Sequence, residues 1–245
     1  MKPLVLCSND DGVHSPLLDQ VVSSLEPIAD VLVVAPERQR SAASHAITLH
    51  KPLRLVELSP GRYSLSGTPV DCVYVGMLRL APRPPDLVIS GINDGYNLGT
   101  DVFYSGTVAA AVEGALRGSI GVALSLAPRA PDPASAVAVA RDLVASALAH
   151  RGSGGLRPGC VLNVNLPGNG SHQVRWTRLG RRLYQDDVKE CSDPRGRPYY
   201  WIGGGPTGHD PVEGSDCVVI AEGATSVTPL HLDVTDHALL AKPPW

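Results

Sequence analysis

Several features that would settle a function class outright are missing from this sequence. There is no basic excess: 21 Lys and Arg stand against 24 Asp and Glu, a net charge of -3. A polymeric nucleic acid is therefore not an expected partner. There is no C-x-x-C pair either, and Cys7, Cys72, Cys160, Cys191 and Cys217 are odd in number and widely spaced. That usage suits reduced thiols better than disulfides or zinc. No apolar run approaches roughly 18 residues, and no signal-like charged and apolar regions open the chain. The expectation is a cytoplasmic protein with no membrane partner. H-E-x-x-H, G-x-S-x-G and Walker A spacings are absent, and no G-x-G-x-x-G follows the first apolar run. These absences weigh against zincins, serine hydrolases, P-loop NTPases and Rossmann dinucleotide enzymes. Internal repeats and low-complexity tails are lacking too.

What is present is organised around Pro3 to Pro16, PLVLCSNDDGVHSP. An apolar run, Leu4 to Cys7, empties into a polar turn carrying Asp10 and Asp11 and then Gly12, and a helical pattern starts at Pro16. This reads as strand, turn and helix, with acid at the carboxyl end of the strand, where open α/β sheets keep their ligands. Gly12 tolerates positive φ and lets the chain leave the strand there. Adjacent carboxylates repel each other unless a cation compensates, and a divalent metal is the economical compensation.

Along the rest of the chain, strands and helices alternate. Ser15 and Pro16 predict an N-cap and first helical residue, with Leu17, Leu18, Val21, Val22 and Leu25 on one face. Val31 to Ala35 predicts the next strand, and residues 53 to 66 a hairpin turning at Ser59 to Gly61. Thr68, Pro69 and Asp71 supply a capped helix start. Asp86 to Asn93 predicts a buried strand, and Val108 onward a helix of small residues that can pack closely on a sheet. Ser105, Gly106 and Thr107 sit at its N-terminus, where unpaired N–H groups and the helix dipole favour phosphate, although a plain cap explains the trio as well. A strand from Gly121 to Leu126, a helix capped at Asp132 and Pro133, and a strand in CVLNVNLPG follow.

The expected fold is thus α/β, a doubly wound, mostly parallel sheet flanked by helices over residues 1–172. Residues 173–245 turn to short alternating runs, with a short helix near Asp216 to Ala221. They read as an extended hairpin arm and closing segment, packed on the core or exchanged between subunits. Tyr199, Tyr200 and Trp201 are candidate anchors on that arm.

Three distant segments converge on this argument: Asn9 to Gly12, Ser41 to Ser44, and Asn93 to Thr107. Their carboxylates, hydroxyls and amides suit a hard cation, with no histidine or cysteine required. Together with a phosphate-binding helix end, this predicts phosphoryl chemistry.

The segments SNDDGVHSP, VVAPERQRSAASHAITL, SGTPVDCV, SGINDGYNLG, YSGTVAAAVEG, NVNLP, DPRGRPYYWIGG and SVTPLHLDVTD, in this order, resemble the SurE family of 5′/3′-nucleotidases. The resemblance spans almost the whole chain. It implies a metal-dependent phosphatase acting on nucleoside 5′- and 3′-monophosphates, in some members also on short polyphosphate, and assembled as a dimer or tetramer through the arm. It also implies one divalent cation per subunit, Mg²⁺ or Mn²⁺, bound by Asp10, Asp11, Ser41 and Asn93, the two aspartates doubling as catalytic residues. Asn97, Ser105, Gly106 and Thr107 would line the phosphate, with Asn9 and Ser44 beside them. Two departures bear on substrate preference: Ala42 stands where many members have glycine, and Asp94 and Tyr96 replace smaller residues. A metal- or nucleotide-binding regulatory protein without turnover is the alternative of a different class.

Overall fold

The computed structural model of the chain describes residues 2–152, 155–184, 188–203 and 207–242. Ser153 and Gly154 of the expected loop at 151–159, and Gly204 at the end of the PYYWIGG run, lie outside these residues.

Nine strands form one sheet. In chain order the core runs β1 (Leu4–Ser8), α1 (Pro16–Leu25), β2 (Asp30–Pro36), β3 (Leu55–Ser59), β4 (Arg62–Leu65), α2 (Pro69–Val75) and β5 (Leu87–Asp94). It continues with α3 (Gly106–Leu116), β6 (Ile120–Leu126), α4 (Pro133–Ala149) and β7 (Val161–Leu166). The spatial order begins β3-β4-β2-β1-β5-β6-β7, parallel throughout except for the β3–β4 hairpin at the edge. The chain leaves β1 toward β2 on one side and returns as β5 on the other. That reversal opens a crevice at the carboxyl ends of β1 and β5, the switch point where such sheets bind ligands.

Side chains alternate across the sheet, so β1 serves two cores. Val5 and Cys7 pack with Leu18, Val21 and Leu25 of α1 and with Ala140 and Val144 of α4. Leu4 and Leu6 face the opposite side, with Cys72 and Val73 of α2 and Ala110 of α3. α3 lies close to the sheet because its residues are small: a Cβ on Gly114 would come within 2.4 Å of Val88 Cβ. α2 begins as its sequence requires, with Thr68 and Asp71 satisfying each other's backbone N–H groups in a capping box. At α1 the proline is in place, but the Ser15 side chain makes no capping bond.

The segment 173–245 does not stay apart from the core. β13 (Thr225–Leu230) pairs antiparallel with β7, and β8 (Val174–Trp176) pairs with β13, so both extend the main sheet. What lies outside the sheet is a pair of short ladders, β9 (Arg182–Tyr184) with β12 (Thr207–His209), and β10 (Val188–Ser192) with β11 (Pro198–Ile202). α5 (Asp216–Ala221) matches the expected short helix, and α6 (His237–Ala241) follows β13 with no buried residue. The sequence boundary at 172 therefore divides the strands of a single sheet. The non-local pairing of β13 with β7 is what joins them. Among the described residues, no helix is long and apolar enough to cross a membrane.

Candidate active site

The turn after β1 is locked from within. Asn9, fully buried, donates through Nδ2 to the Gly12 carbonyl (2.9 Å) and accepts from the Gly12 N–H (3.1 Å), which adopts φ +103°. Both ends of the Asn9 amide are engaged within the turn. Its side chain shapes the turn and does not reach the cleft where a phosphate would bind.

Asp10 and Asp11 emerge from this turn into a cleft of about 480 Å³ that Ser41, Asn93, Asn97 and Ser105 also line. Asp10 is buried, and burial, with the neighbouring Asp11 charge, pushes its pKa from 3.8 up to about 6 despite a 2.7 Å hydrogen bond from Thr107 Oγ1. Asp11 is raised as well, first by burial and then by the Asp94 charge. Among the described residues, Asp94 and Asp101 bring the carboxylates lining the cleft to four, with no Lys or Arg beside them. Arg182 and the Tyr184 hydroxyl compensate Asp101 at one side. Among the described residues, nothing cationic lines the cleft beside Asp10 and Asp11. Two strained carboxylates, a serine hydroxyl and an amide oxygen form a hard all-oxygen donor set, so the residues fit a divalent cation. In Asn93 the amide nitrogen donates to the Gly95 carbonyl (2.8 Å), which leaves its oxygen as the donor atom for a metal.

Ser41 rides on a loop pinned at both ends. Arg40 N–H donates to the Asp10 carbonyl (2.7 Å), and Ser44 donates through N–H to Tyr104 and through Oγ to Phe103 (2.7 Å). One residue further, His45 Nε2 meets Glu113 Oε2 at 3.0 Å. Glu113 is buried, and this contact, followed by Arg117, holds its carboxyl below the usual range. Ser44 thus ties the loop to the turn before α3 and is not among the cleft's lining residues. Ala42 takes φ +55°, a left-handed conformation that costs an L-residue about 1 kcal/mol or more. Ala42→Gly is expected to raise stability by about 0.5–1 kcal/mol, and Ala42→Val to lower it, as read from thermal melts.

The α3 terminus divides its work. Ser105 Oγ caps Val108 N–H (3.0 Å), and Thr107 spends its side chain and backbone N–H on Asp10. Thr107 is fully buried behind Asp10 and orients it. The Gly106 N–H, beside the cleft, has no acceptor among the described residues. A Cβ at Gly106 would stand 3.2 Å from Asp10 Cβ and 3.3 Å from its Oδ2, so the absence of a side chain lets helix and acid meet.

The support behind Asn97 comes from β7. Asn163 and Asn165, two residues apart on β7 and fully buried, both donate to the Asn97 carbonyl (2.8 and 3.1 Å). Asn165 Oδ1 accepts the Asn97 N–H, and Asn97 Nδ2 reaches Ser125 (2.7 Å). The sequence signal was there: paired asparagines at strand period inside an apolar run. Gln39, Asp101, Tyr104 and Tyr184 line the cleft without an individual role in the sequence reading, and Asp94 and Tyr96, read there as departures bearing on substrate preference, line it too.

The family profile described as survival protein SurE matches residues 5–186. The chain belongs to the SurE family. A 5′-nucleotidase SurE of Sorangium cellulosum is 52% identical over 96% of this chain and 92% of its own length. The Myxococcus xanthus 5′-nucleotidase SurE is 48% identical over 96% and 90%. Among solved structures, the SurE protein from Aquifex aeolicus superposes with a TM-score of 0.85 at 36% identity, covering 98% of this chain and 97% of its own. The α/β fold with a mostly parallel sheet is shared with that SurE structure.

Proposed function

We propose that the chain is a metal-dependent nucleotidase that hydrolyses nucleoside 5′- and 3′-monophosphates to nucleoside and phosphate. The observation that carries this reading is an acidic cleft, with no Lys or Arg among its described lining residues, at the α3 N-terminus. A phosphate dianion is repelled from such a cleft until a cation occupies it. Relatives at about half identity over nearly their whole length carry the name 5′-nucleotidase. No observation favours a binding protein without turnover.

Asp10, Asp11, Ser41 and Asn93 would hold one Mg²⁺ or Mn²⁺ per subunit. When bound, the cation supplies Lewis acidity toward a phosphoryl oxygen. Thr107 keeps Asp10 in place, and the Gly106 N–H with Asn97 and Ser105 positions the phosphate and meets its developing charge. Water's oxygen bonds to phosphorus as the P–O bond to the nucleoside breaks, and the proton that water gives up balances the one taken up by the departing nucleoside oxygen. Short polyphosphate is a further substrate on this reading, and the cytoplasm its compartment. The arm supports assembly into a dimer or tetramer: Tyr199, Tyr200, Trp201 and Ile202 are all exposed, as are Leu239 and Leu240 on α6.

The test is phosphate release from 5′-AMP, 3′-AMP and tripolyphosphate by protein stripped of metal and then given Mg²⁺ or Mn²⁺. Release from the nucleotides is expected only with metal, and to fall by on the order of 10³-fold in Asp11→Asn. Nucleotides left intact with either cation, by protein that binds it, would refute the assignment.

A further inference from the structure

Ser41 stands on a loop that has no core of its own. From Ser41 to His50 no residue is buried, so apolar packing does not fix where the hydroxyl points. Ala42 (φ +55°) and Ser44 (φ +49°) both hold left-handed conformations. Strain of this kind persists only where surrounding contacts over-determine the backbone.

Those contacts are polar. Before the strained residues, the Arg40 N–H is held by the Asp10 carbonyl; after them, Thr68 Oγ1 donates to the Ala46 carbonyl (2.7 Å) and the Thr48 N–H donates to Asp71 (2.8 Å). Between these anchors the loop is joined to the rest of the molecule by Ser44, on the turn at Phe103 and Tyr104, and by His45, on Glu113. The His45 contact has the firmer base. Phe103 and Tyr104 are themselves exposed, whereas Glu113 belongs to α3 and is buried. Its Oε1 takes the Arg117 Nε–H (2.5 Å), and that guanidinium lies 3.7 Å from the Tyr74 ring of α2. Its carboxyl, held below the usual range, is ionised at neutral pH, so the His45 Nε2–H donates to a charged acceptor. Such bonds are shorter and stronger than neutral ones. Near its start the same helix carries Thr107, which holds Asp10.

Resting on the nucleotidase reading and its metal set, we propose that His45 is a positioning residue. Through Glu113 it straps the Ser41 loop to α3 and sets the Ser41 hydroxyl for the cation. One helix then registers two donors from two separate loops, Asp10 by Thr107 and Ser41 by His45. His45 itself is not among the cleft's lining residues, so it acts only through Ser41.

The test is a series of Mn²⁺ titrations by calorimetry on metal-free full-length protein, each well below its melting temperature. Groups that orient a metal ligand govern affinity by about 10–100-fold, and His45→Ala is expected to weaken Mn²⁺ by about tenfold. His45→Gln, whose Nε2 can donate to Glu113, should stay within about twofold of the wild type. In a Ser41→Ala background, adding His45→Ala should change the affinity by less than about twofold, because the donor it positions is gone. The Mn²⁺ needed for half-maximal release from 5′-AMP should rise by about tenfold in His45→Ala, while kcat at saturating Mn²⁺ stays within about threefold. Wild-type affinity in His45→Ala, the same loss with and without Ser41, or a loss as large in His45→Gln would overturn the strap. Mn²⁺ binding does not require turnover. A wild type that binds Mn²⁺ and leaves nucleotides intact would refute the function assigned above, and the strap would stand or fall on the binding series. A wild type that does not bind Mn²⁺ would overturn both.

Discussion

Asp10→Asn should abolish activity and yet stabilise the metal-free protein. Asp10 is buried beside a second carboxylate, and its pKa is pushed from 3.8 up to about 6. The folded state therefore holds the proton more tightly than the unfolded chain does. Below the unfolded value both states are protonated, and the site costs nothing. As the pH rises between about 4 and 6 the penalty grows, and above 6 it is complete. A displacement of about two pK units corresponds to roughly 3 kcal/mol. Asparagine removes the charge while its oxygen still accepts from Thr107. In chelator at pH 8, Asp10→Asn is expected to melt several degrees above the wild type, and the gap should close toward pH 4. With Mg²⁺ or Mn²⁺ restored, phosphate release should fall by on the order of 10³-fold, because a metal ligand is lost. Equal melts at pH 8 would show that the acidic pair is not strained, and retained activity would remove Asp10 from the site.

This opposition explains why the acidic turn was the most legible part of the sequence. Two adjacent carboxylates at a strand end make poor sense for stability alone, so their presence already points to a ligand. The alternating core was legible for a related reason: Leu4 to Ser8, Leu87 to Asp94 and Ile120 to Leu126 are apolar runs of strand length, set between helices of helical period. Roles within the site were harder to read. Asn9, Asn93 and Asn97 are the same residue type near the same cleft, yet one clips a turn, one offers an oxygen, and one is held by two others from β7. Only geometry separates ligand from support. Thr107 belongs to the same class: it reads as a phosphate contact and is found bonded to Asp10. The closing strand was read as an extended run, but its place in the main sheet was not legible, for a different reason. β13 carries Pro229 and pairs with β7 across more than sixty residues of chain, and no local pattern encodes that partner.

The residue that connects this closing region to the cleft is Asp216, and Asp216→Ala is expected to cost about 3–5 kcal/mol of stability. Asp216 is fully buried at the start of α5. Its Oδ2 accepts the Gly99 N–H (2.8 Å), and its Oδ1 accepts those of Gly180 (2.7 Å) and Cys217 (2.8 Å). Gly99 opens the turn that carries Asp101 and leads to Ser105, and Gly180 precedes the strand bearing Tyr184. One carboxylate thus ties together the two segments that wall the cleft on its α3 side. Alanine would leave two buried donors, the Gly99 and Cys217 N–H groups, and the part-buried Gly180 N–H without an acceptor, each buried one costing about 1–3 kcal/mol, partly recovered by local relaxation. Asp216→Asn keeps one acceptor oxygen and should lose less than half as much. Denaturant unfolding ranks the three proteins, and the asparagine variant separates stability from function. If the clip also positions the cleft wall, kcat for 5′-AMP should fall severalfold in Asp216→Asn at temperatures where it is fully folded. Wild-type stability in Asp216→Ala would mean that the three N–H groups find other partners, and wild-type kcat in a folded Asp216→Asn would confine the clip to holding α5 on the sheet.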